Sequence, residues 1–134
     1  MSIELKLAIF AAMLFFHIFD DFYLQGVLAN MKQKKWWRDN IPGKMYSDDY
    51  KMALFVHAFS WSFVMSSPLF VYAIYLNNSD AMLALFCFYI LNTFFHMLID
   101  NCKANLRTIN LVADQSFHMM QVFFTWIFIT SLFK

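Results

Sequence analysis

Three pairs of histidine and aspartate stand out in the sequence because the members of each pair are four residues apart. The pairs are His17 and Asp21, His96 and Asp100, and Asp114 and His118. Residues four apart lie on one face of an α-helix, so each pair would present an imidazole beside a carboxylate. Zn²⁺, Mn²⁺ and Fe²⁺ all accept these two kinds of ligand. A fourth histidine, His57, has no aspartate at this spacing.

Polar residues next to these pairs would complete a catalytic site. Gln25 lies one helical turn after Asp21, and Lys103 lies just below Asp100. Asp20 is expected to point about 100° away from Asp21 on an α-helix. It adds negative charge, which favours proton uptake by one of the two carboxylates. We therefore expect Asp21 to act as general base, Gln25 to orient the substrate and Lys103 to bind its anionic group.

The other members of the pairs, together with the fourth histidine, form the predicted ligand set for a divalent metal ion. These residues are His17, His57, His96, Asp100, Asp114 and His118. Zn²⁺ is the expected ion, with Mn²⁺ and Fe²⁺ as alternatives. Two ions would suit this number of imidazoles and carboxylates better than one. With a single ion, the carboxylates would instead orient the imidazoles.

The chain of 134 residues is too apolar for an ordinary soluble domain. Of its residues, 61% are hydrophobic and 14% are charged, whereas about 25% of the residues of soluble domains are charged. Apolar helices of about twenty residues cross the roughly 30 Å hydrocarbon core of a bilayer. We predict an all-α fold with one transmembrane domain over residues 1–134, built as an antiparallel four-helix bundle. The predicted helices cover residues 5–28, 50–76, 81–101 and 111–132.

Antiparallel packing would bring the four histidines to one membrane face. Short connections make consecutive helices run in opposite directions, and each histidine would lie roughly 8–17 Å below that face. Most basic residues flank the same face: Lys32, Lys34, Lys35, Arg38, Lys44, Lys51, Lys103 and Arg107. The connection over residues 29–47, with Trp36 and Trp37, is expected to lie in the membrane interface. Because basic residues favour the cytoplasmic side, we expect an inner (cytoplasmic) membrane protein with both termini outside the cytoplasm.

Acidic residues inside a membrane have to be paired. One aspartate in a membrane helix costs about 2.5–3.5 kcal/mol, so Asp21, Asp100 and Asp114 are expected to face inward against partners. A structural hydrogen-bond network between aspartates and histidines would meet this need. A metal centre would meet it too. The net charge of +1 gives no general signal for a nucleic-acid partner.

The polar residues form one pattern over most of the chain: His17-x3-Asp21-x3-Gln25, His57 near the start of the second helix, His96-x3-Asp100-x2-Lys103 and Asp114-Gln115-x2-His118. This pattern resembles a family of small membrane proteins from phages and bacteria that is catalogued only as a domain of unknown function. It is distantly similar to the membrane-bound metal-dependent hydrolases as well. The resemblance implies a four-helix membrane protein with a polar site made of those residues, and it implies no substrate. Asp20 and the long connection rich in Lys and Trp are particular to this sequence.

Two classes of function follow from these predictions. The first is a metal-dependent hydrolase, in which a bound metal ion activates water and the substrate is lipid-linked or phosphate-bearing. The second is a protein without enzymatic activity: a small effector that binds a host membrane protein, or a conduit for metal ions or protons. A conduit would need polar residues through both halves of the helices, and the outer halves offer few. A haem carrier is a third alternative, although carboxylates are poor neighbours for a haem.

Overall fold

The computed structural model describes residues 1–133 and confirms the all-α prediction, with no β-strand in that range. The α-helices are α1 (Ile3–Ile18), α2 (Leu28–Met31), α3 (Lys34–Asn40), α4 (Asp49–Tyr75), α5 (Ser79–Asn101) and α6 (Leu111–Leu132). Two π-helical segments, Phe19–Leu24 and Cys102–Leu106, continue α1 and α5, and a 3-10 turn spans Lys44–Tyr46.

The four long helices pack against one another in antiparallel fashion. One apolar cluster combines the start of α1, the end of α4, the start of α5 and the end of α6. Its fully buried side chains include Met13, Met65, Leu69, Leu85 and Ile129. The buried histidines and aspartates lie in the other half of the bundle, as the sequence predicts.

Three helices within residues 1–133 are long and apolar enough to cross a membrane, and they cover Ile3–Leu24, Lys44–Tyr75 and Ser79–Leu106. Their outer faces expose large apolar side chains, among them Phe15, Phe63, Val71, Leu83 and Phe86. Helix α6 is 22 residues long but carries Asp114, Gln115, His118 and Gln121 in its first half. Three of the four predicted spans thus have the required length and composition. A span through α6 stays a prediction.

The first long helix ends earlier than predicted. Its π-helical segment stops at Leu24, and Gly26 then adopts a φ of 50°. This left-handed conformation is open to glycine and costly for residues with a Cβ atom, so the chain turns there and does not continue to residue 28. The connection that follows is not a plain loop, because it contains α2 and α3. Trp37 on α3 is buried, and its indole Nε1 donates to the carbonyl oxygen of Met31.

The π-helical segment after α1 changes the direction of one predicted side chain. An α-helix would turn Asp20 away from Asp21, yet both are buried, with 1% and 5% of their surface exposed. Hydrogen bonds from residue i to i+5 widen the helical turn, and such segments are frequent at functional sites. Both carboxylates therefore enter the bundle, where α4 supplies a partner to each.

Candidate metal centre

The buried histidines and aspartates meet in two groups that share one carboxylate. Asp21, His57, His96 and Asp100 form the first group, and Asp21, Asp114 and His118 form the second. Within each group, one ligand atom from every residue lies within 4.8 Å of the others. The π-helical segment after α1 supplies the shared carboxylate, while α4, α5 and α6 supply the rest. Each of the four long chain segments thus contributes to the centre.

The known spacings in the first group are close to those of a tetrahedral metal site. His57 Nε2 lies 3.1 Å from His96 Nε2, 3.3 Å from Asp21 Oδ1 and 3.5 Å from Asp100 Oδ2. His96 Nε2 lies 3.8 Å from the same oxygen of Asp100. A tetrahedral ion with bonds of about 2.0–2.2 Å separates its ligand atoms by roughly 3.3–3.6 Å. These four distances lie close to that range, so the group could hold one divalent ion.

The second group contains buried polar atoms without hydrogen-bond partners. His118 Nε2 lies 3.5 Å from Asp114 Oδ1, and both atoms lack a partner among the described residues. His118 Nε2 is also 3.6 Å from Asp100 Oδ1. An unpartnered buried polar atom costs about 1–3 kcal/mol. A cation or a proton at this position would remove that cost.

Asp21 is held by two amide side chains. Gln25 Nε2 donates to Asp21 Oδ1 at 2.9 Å, and Gln115 Nε2 donates to Asp21 Oδ2 at 2.6 Å. Gln115 also donates to Asp114 Oδ2 at 3.1 Å. The Asp21 carboxylate is thus fixed by donors that do not depend on a metal ion, and Gln25 lies against this predicted base.

Two lysines form ion pairs with the centre. Lys32 Nζ lies 2.6 Å from Asp100 Oδ2, and 9% of the Lys32 side chain is exposed. Lys103 Nζ lies 2.6 Å from Asp114 Oδ2 and is one third exposed. Lys103, predicted to bind an anionic group of the substrate, therefore has a carboxylate partner in this structure.

The charges of these buried groups do not cancel. Four carboxylates lie in this half of the bundle: Asp20, Asp21, Asp100 and Asp114. Lys32 and Lys103 supply two positive charges, which leaves two negative charges when the imidazoles are neutral. Uncompensated charge is expensive inside a membrane helix bundle. One divalent cation would balance the centre.

His17 lies outside both groups. Its Nδ1 atom accepts a hydrogen bond of 2.9 Å from Trp61 Nε1. Trp61 is completely buried, and its ring stacks on His96 at a centroid distance of 4.2 Å. His17 therefore helps to hold Trp61 against a candidate ligand. Direct metal binding by His17 stays a prediction.

Sequence spacing did not point to every residue that contacts the centre. Lys32 contacts Asp100, which is 68 positions further along the chain, so no local pattern reveals it. Asp20 accepts from Ser60 Oγ at 2.9 Å, and its Oδ2 atom lies 3.9 Å from His57 Nδ1. Trp61 did leave a signal, since it follows His57 by four residues and so shares its helical face.

No protein-family model, curated protein or solved structure matches this chain. The resemblance to small membrane proteins of phages and bacteria therefore stays a prediction. The function has to be argued from the geometry of the buried polar groups.

Proposed function

We propose that this protein is an integral membrane protein that binds one divalent metal ion through His57, His96 and Asp100 and uses it for hydrolysis. The observation that carries the proposal is the first group of ligand atoms, which lie within 4.8 Å of one another, close enough to hold one ion. The balance of charge supports a single ion, because four carboxylates face only two ammonium groups. With Asp21 not coordinated, the fourth position of the ion stays open to water, as in catalytic zinc sites.

Asp21 is the proposed general base. A divalent ion makes coordinated water acidic enough to supply a nucleophile near neutral pH. Asp21 Oδ1 lies beside His57 Nε2 and so faces this position, and it would accept the proton of the water molecule. Gln25 and Gln115 hold the carboxylate in that orientation.

The substrate would reach the centre from the side of the bundle. A cavity of about 490 Å³ opens there and is lined by His17, Ile18, Phe22, Tyr23, Gln115 and Met119. More than half of Phe22 and three quarters of Tyr23 are exposed. Gln115 lines this cavity and also donates to Asp21 and Asp114. This arrangement supports lateral entry of a lipid-linked substrate.

A structural network without catalysis is the second candidate, and the two ion pairs favour it. Lys32 and Lys103 neutralise Asp100 and Asp114 at 2.6 Å each. Imidazolium on two histidines would then balance the remaining charge without any metal. In that case the polar groups would hold the helices together, and the protein would act as an effector or by binding another membrane protein.

Elemental analysis of protein purified in nanodiscs without chelator separates the two candidates. We expect about one equivalent of a transition metal, most simply Zn²⁺. His96→Ala should lower both metal content and thermal stability, because an ion bound to the folded state stabilises it by mass action. His17→Ala is the matched control: it removes a buried imidazole outside both groups and should keep the metal, although it loses the hydrogen bond from Trp61. Less than about a tenth of an equivalent in the wild type would favour the structural network.

A further inference from the structure

A second cavity, of about 730 Å³, lies outside the metal centre and is lined by α3, the connection up to Ser47 and the π-helical segment after α5 together with Arg107. Five cationic side chains line it: Lys34, Lys35, Arg38, Lys44 and Arg107. No acidic side chain is among its lining residues. Its volume is in the range of small-molecule sites, which measure about 300–1,000 Å³.

Most of these cations have no counter-charge. Arg38 Nε lies 3.0 Å from Asp39 Oδ1, but both side chains are largely exposed. Lys34, Lys35, Lys44 and Arg107 form no ion pair with a carboxylate of residues 1–133. Positive charges around one cavity repel one another. They attract anions over one Debye length, roughly 8–10 Å. An anion in the cavity would relieve this repulsion.

The wall of the cavity is fastened by hydrogen bonds. Asn105 Oδ1 accepts from the backbone N–H of Lys34 at 2.7 Å, and Asn105 Nδ2 donates to the carbonyl oxygen of Lys32 at 3.0 Å. Trp37 is buried in the same wall, with its Nε1 atom 2.6 Å from the carbonyl oxygen of Met31. The cationic side chains thus project from a fixed backbone. A diffuse basic tail would lack this feature.

The same two chain segments, the connection after α1 and the segment after α5, contribute residues to both the cavity and the metal centre. Lys32 reaches into the centre while Lys34, two residues later, lines the cavity. In the π-helical segment after α5, Lys103 pairs with Asp114, and Arg107, which ends this segment, lines the cavity. Arg107 adopts a φ of 56° at the end of a helix, where glycine is the usual residue. The two sites therefore lie at the same end of the bundle.

We propose that this cavity binds a phosphate group that carries more than one negative charge. Arginine and lysine are the side chains that recognise phosphate, arginine through paired N–H donors and lysine as a point charge. Four cations without a carboxylate partner suit a multiply charged anion better than a single carboxylate. The proposal does not depend on the metal ion or on hydrolysis. If the proposed function holds as well, the cavity supplies the anchor for a phosphate-bearing substrate.

Two sources of the phosphate share this chemistry: a soluble phosphate compound and the headgroup of an anionic lipid. The full chain is placed in phosphatidylcholine nanodiscs, with a chelator present so that no metal contributes. One arm titrates inorganic pyrophosphate by calorimetry. The other measures binding of phosphatidate by native mass spectrometry. Saturable binding of either probe near one equivalent supports the proposal and identifies the source.

Charge variants test whether the cavity is responsible. Lys35→Gln combined with Arg107→Gln should weaken binding at least about tenfold, since each charge-assisted contact contributes strongly. Lys6→Gln combined with Lys51→Gln changes the net charge equally at residues outside the cavity and should leave affinity within about twofold. Lys35→Arg combined with Arg107→Lys should retain binding. Equal losses in both neutralised proteins, or no saturable binding of either probe to the wild type, would overturn the proposal.

Discussion

Asp100 joins most of the polar groups of the centre through its two oxygens. Oδ2 lies 2.6 Å from Lys32 Nζ and 3.5 Å from His57 Nε2, whereas Oδ1 lies 3.6 Å from His118 Nε2. The pairing of His96 with Asp100 was predictable, because four-residue spacing fixes a shared helical face. The contact with Lys32 was not, because it depends on how the connection after α1 folds back over the bundle.

Replacement of Asp21 by asparagine tests the proposed base. Asp21→Asn keeps the shape of the side chain and removes its ability to take a proton. We expect the metal content to stay near that of the wild type and hydrolysis of a nitrophenyl phosphate ester to fall by about 10²–10⁴-fold. Loss of the metal in Asp21→Asn would show instead that Asp21 is a ligand. Full turnover with the metal retained would remove it from the mechanism.

A variant that cannot bind the metal ion provides the complementary test of hydrolysis. His96→Ala should lose metal and turnover together, because the ion activates the attacking water. A metal-free His96→Ala protein that hydrolyses the ester at the wild-type rate would contradict the hydrolase proposal. Binding of phosphate in the second cavity would be unaffected by that result.

At the scale of elements, the ends of helices were harder to predict than their existence. Helix α6 begins and ends at the predicted residues, and α4 differs by one residue at each end. The first long helix stops four residues early, since Gly26 takes a left-handed conformation that its neighbours did not reveal. The π-helical segments were not predictable either, because tertiary contacts rather than local spacing decide whether a turn widens.

Gly26 provides a test of how strictly this turn is required. Gly26→Ala should destabilise the folded protein by about 1–2 kcal/mol, because a Cβ atom is strained at positive φ. The measurement is the midpoint of unfolding in detergent micelles, with metal content recorded alongside. Gly43→Ala is the control. Its φ of 178° suits any residue, and an added Cβ would meet Tyr46 Cδ2 at an ordinary 3.4 Å. An equal effect of the two substitutions would show that the conformation of Gly26 is not what matters.

At the scale of the whole molecule, the antiparallel order of the helices explains why one end is polar and the other apolar. The sequence predicts this division because the four histidines alternate between the ends of successive helices. Composition alone does not decide whether α6 spans the membrane, since its polar residues face the bundle while its hydropathy is averaged over all faces. The packing of α6 against the other helices decides which of its faces is turned inward, and the sequence pattern does not contain this information.

Orientation in the membrane is the prediction that belongs to this scale. Eight basic residues lie towards the end that carries the candidate metal centre, so this end should face the cytoplasm. Single cysteines introduced at Lys35 and Lys44, in a chain with Cys87 and Cys102 replaced by serine, should react in intact cells only with membrane-permeant maleimide. A cysteine at Asn78, on the opposite connection, is the control and should react with an impermeant reagent. Labelling of the basic connection from outside would contradict the predicted orientation.

The π-helical segment Phe19–Leu24 should make this protein more sensitive to deletions than to substitutions. Such a segment holds one residue more than an α-helical turn of the same length, so the removal of one residue would return it to the α-helical repeat. Deleting the codon for Phe19 would restore a regular helix and rotate everything before it, including His17 and Met13, by about 100° relative to Asp21. Many point mutations of α1 change only a side chain that faces outward. A single-codon deletion would misalign the apolar half and the polar half of the bundle at once. We therefore expect the number of residues in this segment to vary far less among related proteins than the identity of those residues.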